Sequence, residues 1–192
     1  KQILINLYNK KLSKSLLRSK YINLRKTKNQ KDVKINLLKV LRLFKNFDYK
    51  KKIFGGYYPI NYEMNILHIL KELENQNVKI SLPITMKNND MDFYQWSSTD
   101  ILILNKFGIP EPQKKSKVIP DILLIPLVSF DKNLFRIGYG GGFYDRYIEK
   151  VSKLKKTLNI GIAHSCQKVS KVPLNKYDKK LDIVITEKYI LS

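Results

Sequence analysis

The sequence predicts a three-layer α/β/α fold with a largely parallel central sheet, preceded by an N-terminal helical segment. Three observations carry this reading. Asp121-Ile-Leu-Leu-Ile-Pro126, Asn159-Ile-Gly-Ile-Ala-His164 and Leu181-Asp-Ile-Val-Ile-Thr186 are short apolar runs without alternation, as in strands covered on both faces. Helical patterns fall between strands rather than in a block of their own. The length of 192 residues, 43% of them hydrophobic, suits one domain over residues 1–192 with a sizeable core.

The elements follow in order. From about Lys10 to Lys45, apolar residues recur at helical spacing: Leu12, Leu16, Ile22, Val33, Leu37, Leu38, Leu41 and Phe44. Ser13 or Ser15 would cap the start, and Thr27-Lys-Asn-Gln would break the stretch into two basic helices, within residues 1–48, packed on the rest. Lys50 to Tyr58 reads as a strand ending in a turn at Pro59. Glu63 to Asn75 reads as a helix with Met64, Leu67, Leu70 and Leu73 on one face. Val78 to Pro83 and Met91 to Trp96 read as strands. Asn105 to Lys117, with Gly108, Pro110 and Pro112, reads as a surface loop, and Phe143 to Leu154 as a crossover helix.

Charge excludes less than its size suggests. The net charge is +21, but 32 of the 37 basic residues are Lys, which like the abundant Asn and Ile has A/T-rich codons. Residues 1–52 hold 17 basic and 2 acidic side chains, and the other 140 hold 20 and 14. A solvated basic helix surface accounts for that asymmetry. No zinc-finger spacing, RNP-like aromatic box or basic zipper accompanies it, so nucleic-acid binding is not the expected function. No apolar run approaches the roughly 20 residues of a membrane helix. A single cysteine, Cys166, excludes an internal disulfide framework and suits a reducing cytoplasm; it reads as an apolar filler, with no Cys–His arrangement. His68 and His164 lack the companions of a metal site.

The most informative stretch is Arg136-Ile-Gly-Tyr-Gly-Gly-Gly-Phe-Tyr-Asp-Arg-Tyr147. Glycines between a strand and a helix allow close approach to the backbone, and a helix N-terminus offers free N–H groups to phosphate. A tight turn is the plainer alternative. No Gly-Lys-Ser/Thr follows, so this is not a Walker loop, and Phe143 stands where the dinucleotide fingerprint has its last glycine. Arg136, Asp145 and Arg146 around the loop point to a Mg²⁺-nucleotide site.

This stretch closely resembles the hallmark of the 5-formyltetrahydrofolate cyclo-ligase family. Other stretches agree in order: Lys14-Ser-Leu-Leu-Arg18, Tyr58-Pro-Ile-Asn-Tyr-Glu63, Ile80-Ser-Leu-Pro83, Phe93 to Trp96, Gly108-Ile-Pro-Glu-Pro112, Pro120 to Asp131, Gly161 to Gln167, and Asp178 through Thr186. The resemblance implies ATP-dependent cyclisation of 5-formyltetrahydrofolate to 5,10-methenyltetrahydrofolate by a cytoplasmic monomer acting on small molecules, with Mg²⁺ as cofactor and ATP as co-substrate. It implies ATP contacts from Lys14, Arg18, Arg136, Ile137, Gly138, Tyr139, Gly140, Gly141, Gly142, Phe143 and Tyr144. Arg136, Tyr144 and Arg146 would be the catalytic groups. The folate would meet Tyr58, Glu63, Trp96, Tyr139, Phe143 and the glycines between them. Asp145 is the first expected Mg²⁺ ligand and Asp182 the second. Each has a plainer alternative: Asp145 and Glu63 as helix-start carboxylates, Asp182 as a strand-start carboxylate, Tyr58 and Trp96 as core aromatics, and Lys14 and Arg18 as solvated surface.

Overall fold

The computed structural model describes residues 2–27 and 33–192, with side chains from Ser13 onward. Helix α1 (Gln2–Thr27) begins well before the expected start, so Ser13 and Ser15 lie inside it rather than capping it. Thr27 closes it, and the rest of the expected break, Lys28 to Gln30, lies outside the described residues. Helix α2 (Leu37–Lys45) is capped by the Asn36 side chain, which accepts from the Lys39 N–H at 3.1 Å.

Twelve strands are formed among the described residues. Eight make the central sheet: β1 (Ile53–Gly55), β2 (Lys79–Thr85), β3 (Met91–Gln95), β6 (Lys117–Val118), β7 (Ile122–Pro126), β10 (Leu158–Ile162), β11 (Ile183–Ile185) and β12 (Ile190–Leu191). Their order is β12-β11-β10-β7-β1-β2-β3-β6. The inner five, from β11 to β2, are mutually parallel, and β12, β3 and β6 run antiparallel to their neighbours on the inner side.

The expected loop at Asn105 to Lys117 contains half of a hairpin. Strand β4 (Leu102–Leu104) pairs with β5 (Pro110–Pro112), and Gly108 at its turn has a φ of +71°. A second hairpin joins β8 (Ser129–Phe130) to β9 (Arg136–Ile137). Both were hidden because strands of two or three residues are too short to show a period.

Three layers result. Helix α3 (Leu67–Asn75) buries Ile69, Leu70 and Leu73 on one face of the sheet, where Val40 and Phe44 of α2 meet Phe54, Ile80, Ile122, Leu124 and Ile160. Helix α4 (Phe143–Ser152) buries Tyr147, Ile148 and Val151 on the other, against Phe93, Leu123, Ile125 and Val184. Helix α3 starts later than Glu63 because Asn61 and Tyr62 take positive φ, and the Asn65 side chain accepts from the Leu67 N–H at 2.9 Å. No helix among the described residues is long and apolar enough to cross a membrane.

The chain passes from β1 to β2 through α3 on one face, and from β7 to β10 through α4 on the other. Between the adjacent strands β1 and β7 the order of winding therefore reverses. In open α/β sheets the crevice at such a reversal, beyond the strands' C-terminal ends, is where ligands bind.

Candidate active site

A cleft of about 1150 Å³ occupies that crevice. Its floor is made where β1 runs into Tyr57 and Tyr58, and β7 ends at Pro126. The glycine loop between β9 and α4 crosses one side. Helix α1 supplies Lys14 and Arg18, four residues apart on one face, and the segment from Asn175 to Lys179 closes the same end.

Backbone geometry explains some of the glycines and not others. Gly140 and Gly142 have φ of +106° and +69°, which L side chains rarely adopt. A Cβ on Gly141 would lie 2.6 Å from the Phe143 ring, so this glycine is required by packing within the loop. Gly138 has ordinary φ, and a Cβ there would meet nothing within 4 Å. From Gly138 to Gly142, no backbone N–H donates to a group among the described residues. The loop lines the cleft, so five donors without an acceptor among the described residues stand where an anion could satisfy them.

Side chains hold the loop in place. Arg18 Nε donates to the Gly138 carbonyl at 2.8 Å, and burial lowers the Arg18 pKa. Arg136 is buried; its Nη2 donates to Asp145 Oδ1 at 2.8 Å and its Nη1 to the Lys179 carbonyl at 2.9 Å. Arg146 donates through Nε to the Asn89 carbonyl at 3.1 Å and through Nη2 to the Gly141 carbonyl, tying the loop to the turn before β3. Lys14 forms an ion pair with Asp178 across 164 positions of sequence. The Tyr144 hydroxyl is buried with no hydrogen-bond partner among the described residues, and burial pushes its pKa up, so it is a neutral phenol left for a ligand.

Glu63 lines the same cleft. Its Oε2 accepts from the Ile60 N–H at 2.9 Å. Burial raises its pKa to about 7, opposed by that bond, by the Arg25 charge and by Tyr139. Tyr58 also borders the cleft.

Two expected residues are elsewhere. Trp96 is buried in the core among side chains of the α2–α3 face, and its backbone N–H binds the Ile80 carbonyl near the start of β2. The cause is the antiparallel course of β3, which begins at the cleft with Met91 and carries Trp96 to the opposite end. Phe107, at the tip of the β4–β5 hairpin and 58% exposed, borders the cleft. Asp182 sits at the start of β11, also away from the cleft. Its Oδ2 accepts from the Asn159 N–H at 2.7 Å and its own N–H donates to the Asn159 carbonyl, fastening two strand starts together. The carboxylate of this stretch that does line the cleft is Asp178, four residues earlier, and the N–H of the next residue, Lys179, donates to Asp145 Oδ1 at 3.2 Å. Its place in the Asp178–Thr186 stretch was the available signal, but spacing alone could not choose between two aspartates. Arg25, buried behind the cleft, carried no signal within so basic a segment.

Among the described residues, no group of three or more His, Cys, Asp or Glu side chains could hold a metal ion by itself. Asp145 spends Oδ1 on Arg136 and the Lys179 N–H, yet its side chain remains 29% exposed. One or two carboxylates beside phosphate oxygens fit Mg²⁺, which keeps several waters and does not need an all-protein cage.

The sequence model of the 5-formyltetrahydrofolate cyclo-ligase family matches residues 10–187. The chain is 32% identical to the 5-formyltetrahydrofolate cyclo-ligase of Escherichia coli over 131 residues, covering 65% of this chain and 71% of that one. It is 33% identical to the enzyme of the same name from Haemophilus influenzae over 137 residues, covering 67% and 73%. The solved 5,10-methenyltetrahydrofolate synthetase of Aquifex aeolicus superposes with a TM-score of 0.75 at 29% identity, over 93% of this chain and 91% of that one. With the match spanning the helix that bears Lys14 and Arg18, the glycine loop and the last parallel strand, the chain belongs to the 5-formyltetrahydrofolate cyclo-ligase family.

Proposed function

We propose that this chain is an ATP-dependent ligase that cyclises 5-formyltetrahydrofolate to 5,10-methenyltetrahydrofolate, with release of ADP and phosphate. The observation that carries the reading is one cleft lined by two unlike sets of groups. Lys14, Arg18, Arg136 and loop N–H groups that have no acceptor among the described residues line it, together with a buried carboxylate, Glu63. A formyl oxygen is a poor leaving group. Its phosphorylation by the γ-phosphate of ATP activates the carbon, the nitrogen at position 10 of the folate closes on it, and phosphate departs. The protein's part is to align the reactants and offset charge.

Lys14, Arg18 and Arg136 neutralise the phosphates, and the N–H groups of Gly138 to Gly142 orient them. Ile137 and Tyr144 support those groups, while Tyr139 and Phe143 stand where nucleotide and folate meet. Tyr58, Glu63 and Phe107 receive the pterin, whose paired N–H groups suit a carboxylate. Arg136, Tyr144 and Arg146 bear on the transferred group, Arg146 by fixing the loop at Gly141. Asp145 and Asp178 would hold Mg²⁺, which when bound offsets phosphate charge. Its ordinary place of action is the cytoplasm, as a monomer. An absorbance assay for methenyl-folate, with and without ATP, tests the activity. Product that forms equally fast without ATP, or no product at all from folded protein, contradicts it.

A further inference from the structure

The stripe of α1 that delivers Lys14 and Arg18 continues beyond them. At about 100° per residue, Lys14, Arg18, Tyr21 and Arg25 fall within roughly 60° of arc. Arg25 is 0% exposed. Burying a guanidinium is costly unless its surroundings offset the lost hydration. Among the described residues, no carboxylate forms an ion pair with it. Its Nη2 donates to the Tyr139 hydroxyl, its Nη1 to the Leu127 carbonyl at 3.4 Å, and its Nε has no partner among the described residues. The guanidinium carbon lies 5.6 Å from the centroid of the Tyr139 ring. Arg25 itself stays behind the cleft wall, whereas Tyr139 and Glu63 form part of that wall.

We propose that Arg25 is a positioning residue for the folate end of the site: it fixes the Tyr139 phenol so that the glycine loop and Glu63 keep one relative placement. Tyr139 lies between Gly138 and Gly140, so its neighbours in sequence offer no side chain to hold its ring. The planar fork of Arg25 does what a lysine could not, gripping the hydroxyl while lying over the ring. A phenol that accepts from a cation is a stronger donor in turn, and Tyr139 acts on Glu63 together with the Arg25 charge. Arg25 thereby joins α1, the loop that meets the phosphates and the carboxylate that meets the pterin. This rests on the folate reading of the cleft.

The test is a double-variant cycle, Arg25→Met, Tyr139→Phe and both together, read by calorimetric Kd for 5-formyltetrahydrofolate and by KM for each substrate. Each single variant should weaken folate binding roughly tenfold, as expected for a lost charge-assisted hydrogen bond, and by more than it raises the KM for ATP. The double variant should be no weaker than the weaker single one. Losses that multiply in the double variant, or an unchanged Kd in Tyr139→Phe, overturn the proposal. Should Arg25→Met fail to fold, Arg25→Lys, which keeps charge but loses the fork, takes its place in the cycle and should show the same non-additivity. Wild-type protein that binds the folate without forming product overturns the activity and leaves the Kd cycle to decide Arg25. Wild-type protein that does not bind the folate overturns both.

Discussion

Glu63 is nearly out of water, with Oε2 on the Ile60 N–H, and burial raises its pKa from 4.5 to about 7. Between those values the folded chain keeps a proton that the unfolded chain has released. Its contribution to stability therefore falls as pH rises from about 4.5 to 7, and Glu63→Gln should flatten that part of a denaturation profile. Folate binding should run the other way. The form that accepts pterin N–H groups is the carboxylate, so the KM for folate should rise as pH falls below about 7 while the KM for ATP stays level. Parallel pH profiles for both substrates would contradict this assignment. The glycines divide similarly by physical cause. Gly141→Val drives a side chain into the Phe143 ring, so it should lower the melting temperature before any ligand is added. Gly138→Ala has open space and ordinary φ, so it should melt normally yet lose Mg²⁺-ATP stabilisation. A Gly138→Ala protein with full nucleotide stabilisation would mean that no ligand approaches there.

At the scale of elements, what could be read in the sequence followed local chemistry. The parallel strands were visible as unbroken apolar runs, and the glycine loop as a strand–helix junction with charged flanks. The direction of β3 was not visible, because Met91 to Gln95 reads the same whichever way it pairs; with it went Trp96. Asp182 and Asp178 differ only in which end of β11 the segment before it reaches, and that is a tertiary fact. Helix α2 supplies a control free of the site. Its Asn36 cap satisfies one helix-start donor, and α2 contributes no residue to the cleft. Asn36→Ala should cost about 1 kcal/mol of stability. At 192 residues that is a drop of roughly 2–4 °C in melting temperature, with kcat and both KM values unchanged.

Over the whole molecule, the cleft is a junction of segments far apart in sequence. Lys14 on α1 pairs with Asp178, Arg18 grips Gly138, and Arg136 bridges Asp145 and the Lys179 carbonyl. A ligand bound there bridges chain ends that unfolding would separate, so its binding energy becomes global stability. Mg²⁺-ATP at about a hundred times its Kd should add roughly 2.7 kcal/mol. For a chain of this size that is an upward shift of about 5–11 °C. Three carboxylates separate the contributions. Asp145→Asn should lower the ligand-free melting temperature, because it leaves the buried Arg136 guanidinium short of a charge partner, and should also reduce the shift. Asp178→Asn should reduce the shift and loosen α1, since Lys14 loses its anion. Asp182→Asn weakens a tie between β10 and β11 far from the phosphates, so the baseline should fall while the ligand shift stays whole. Thermal scans of the three variants, each with and without Mg²⁺-ATP, make the comparison. If Asp182→Asn abolished the shift while Asp178→Asn preserved it, the phosphates and metal would have to lie at the other end of the sheet, and the cleft would be the wrong site.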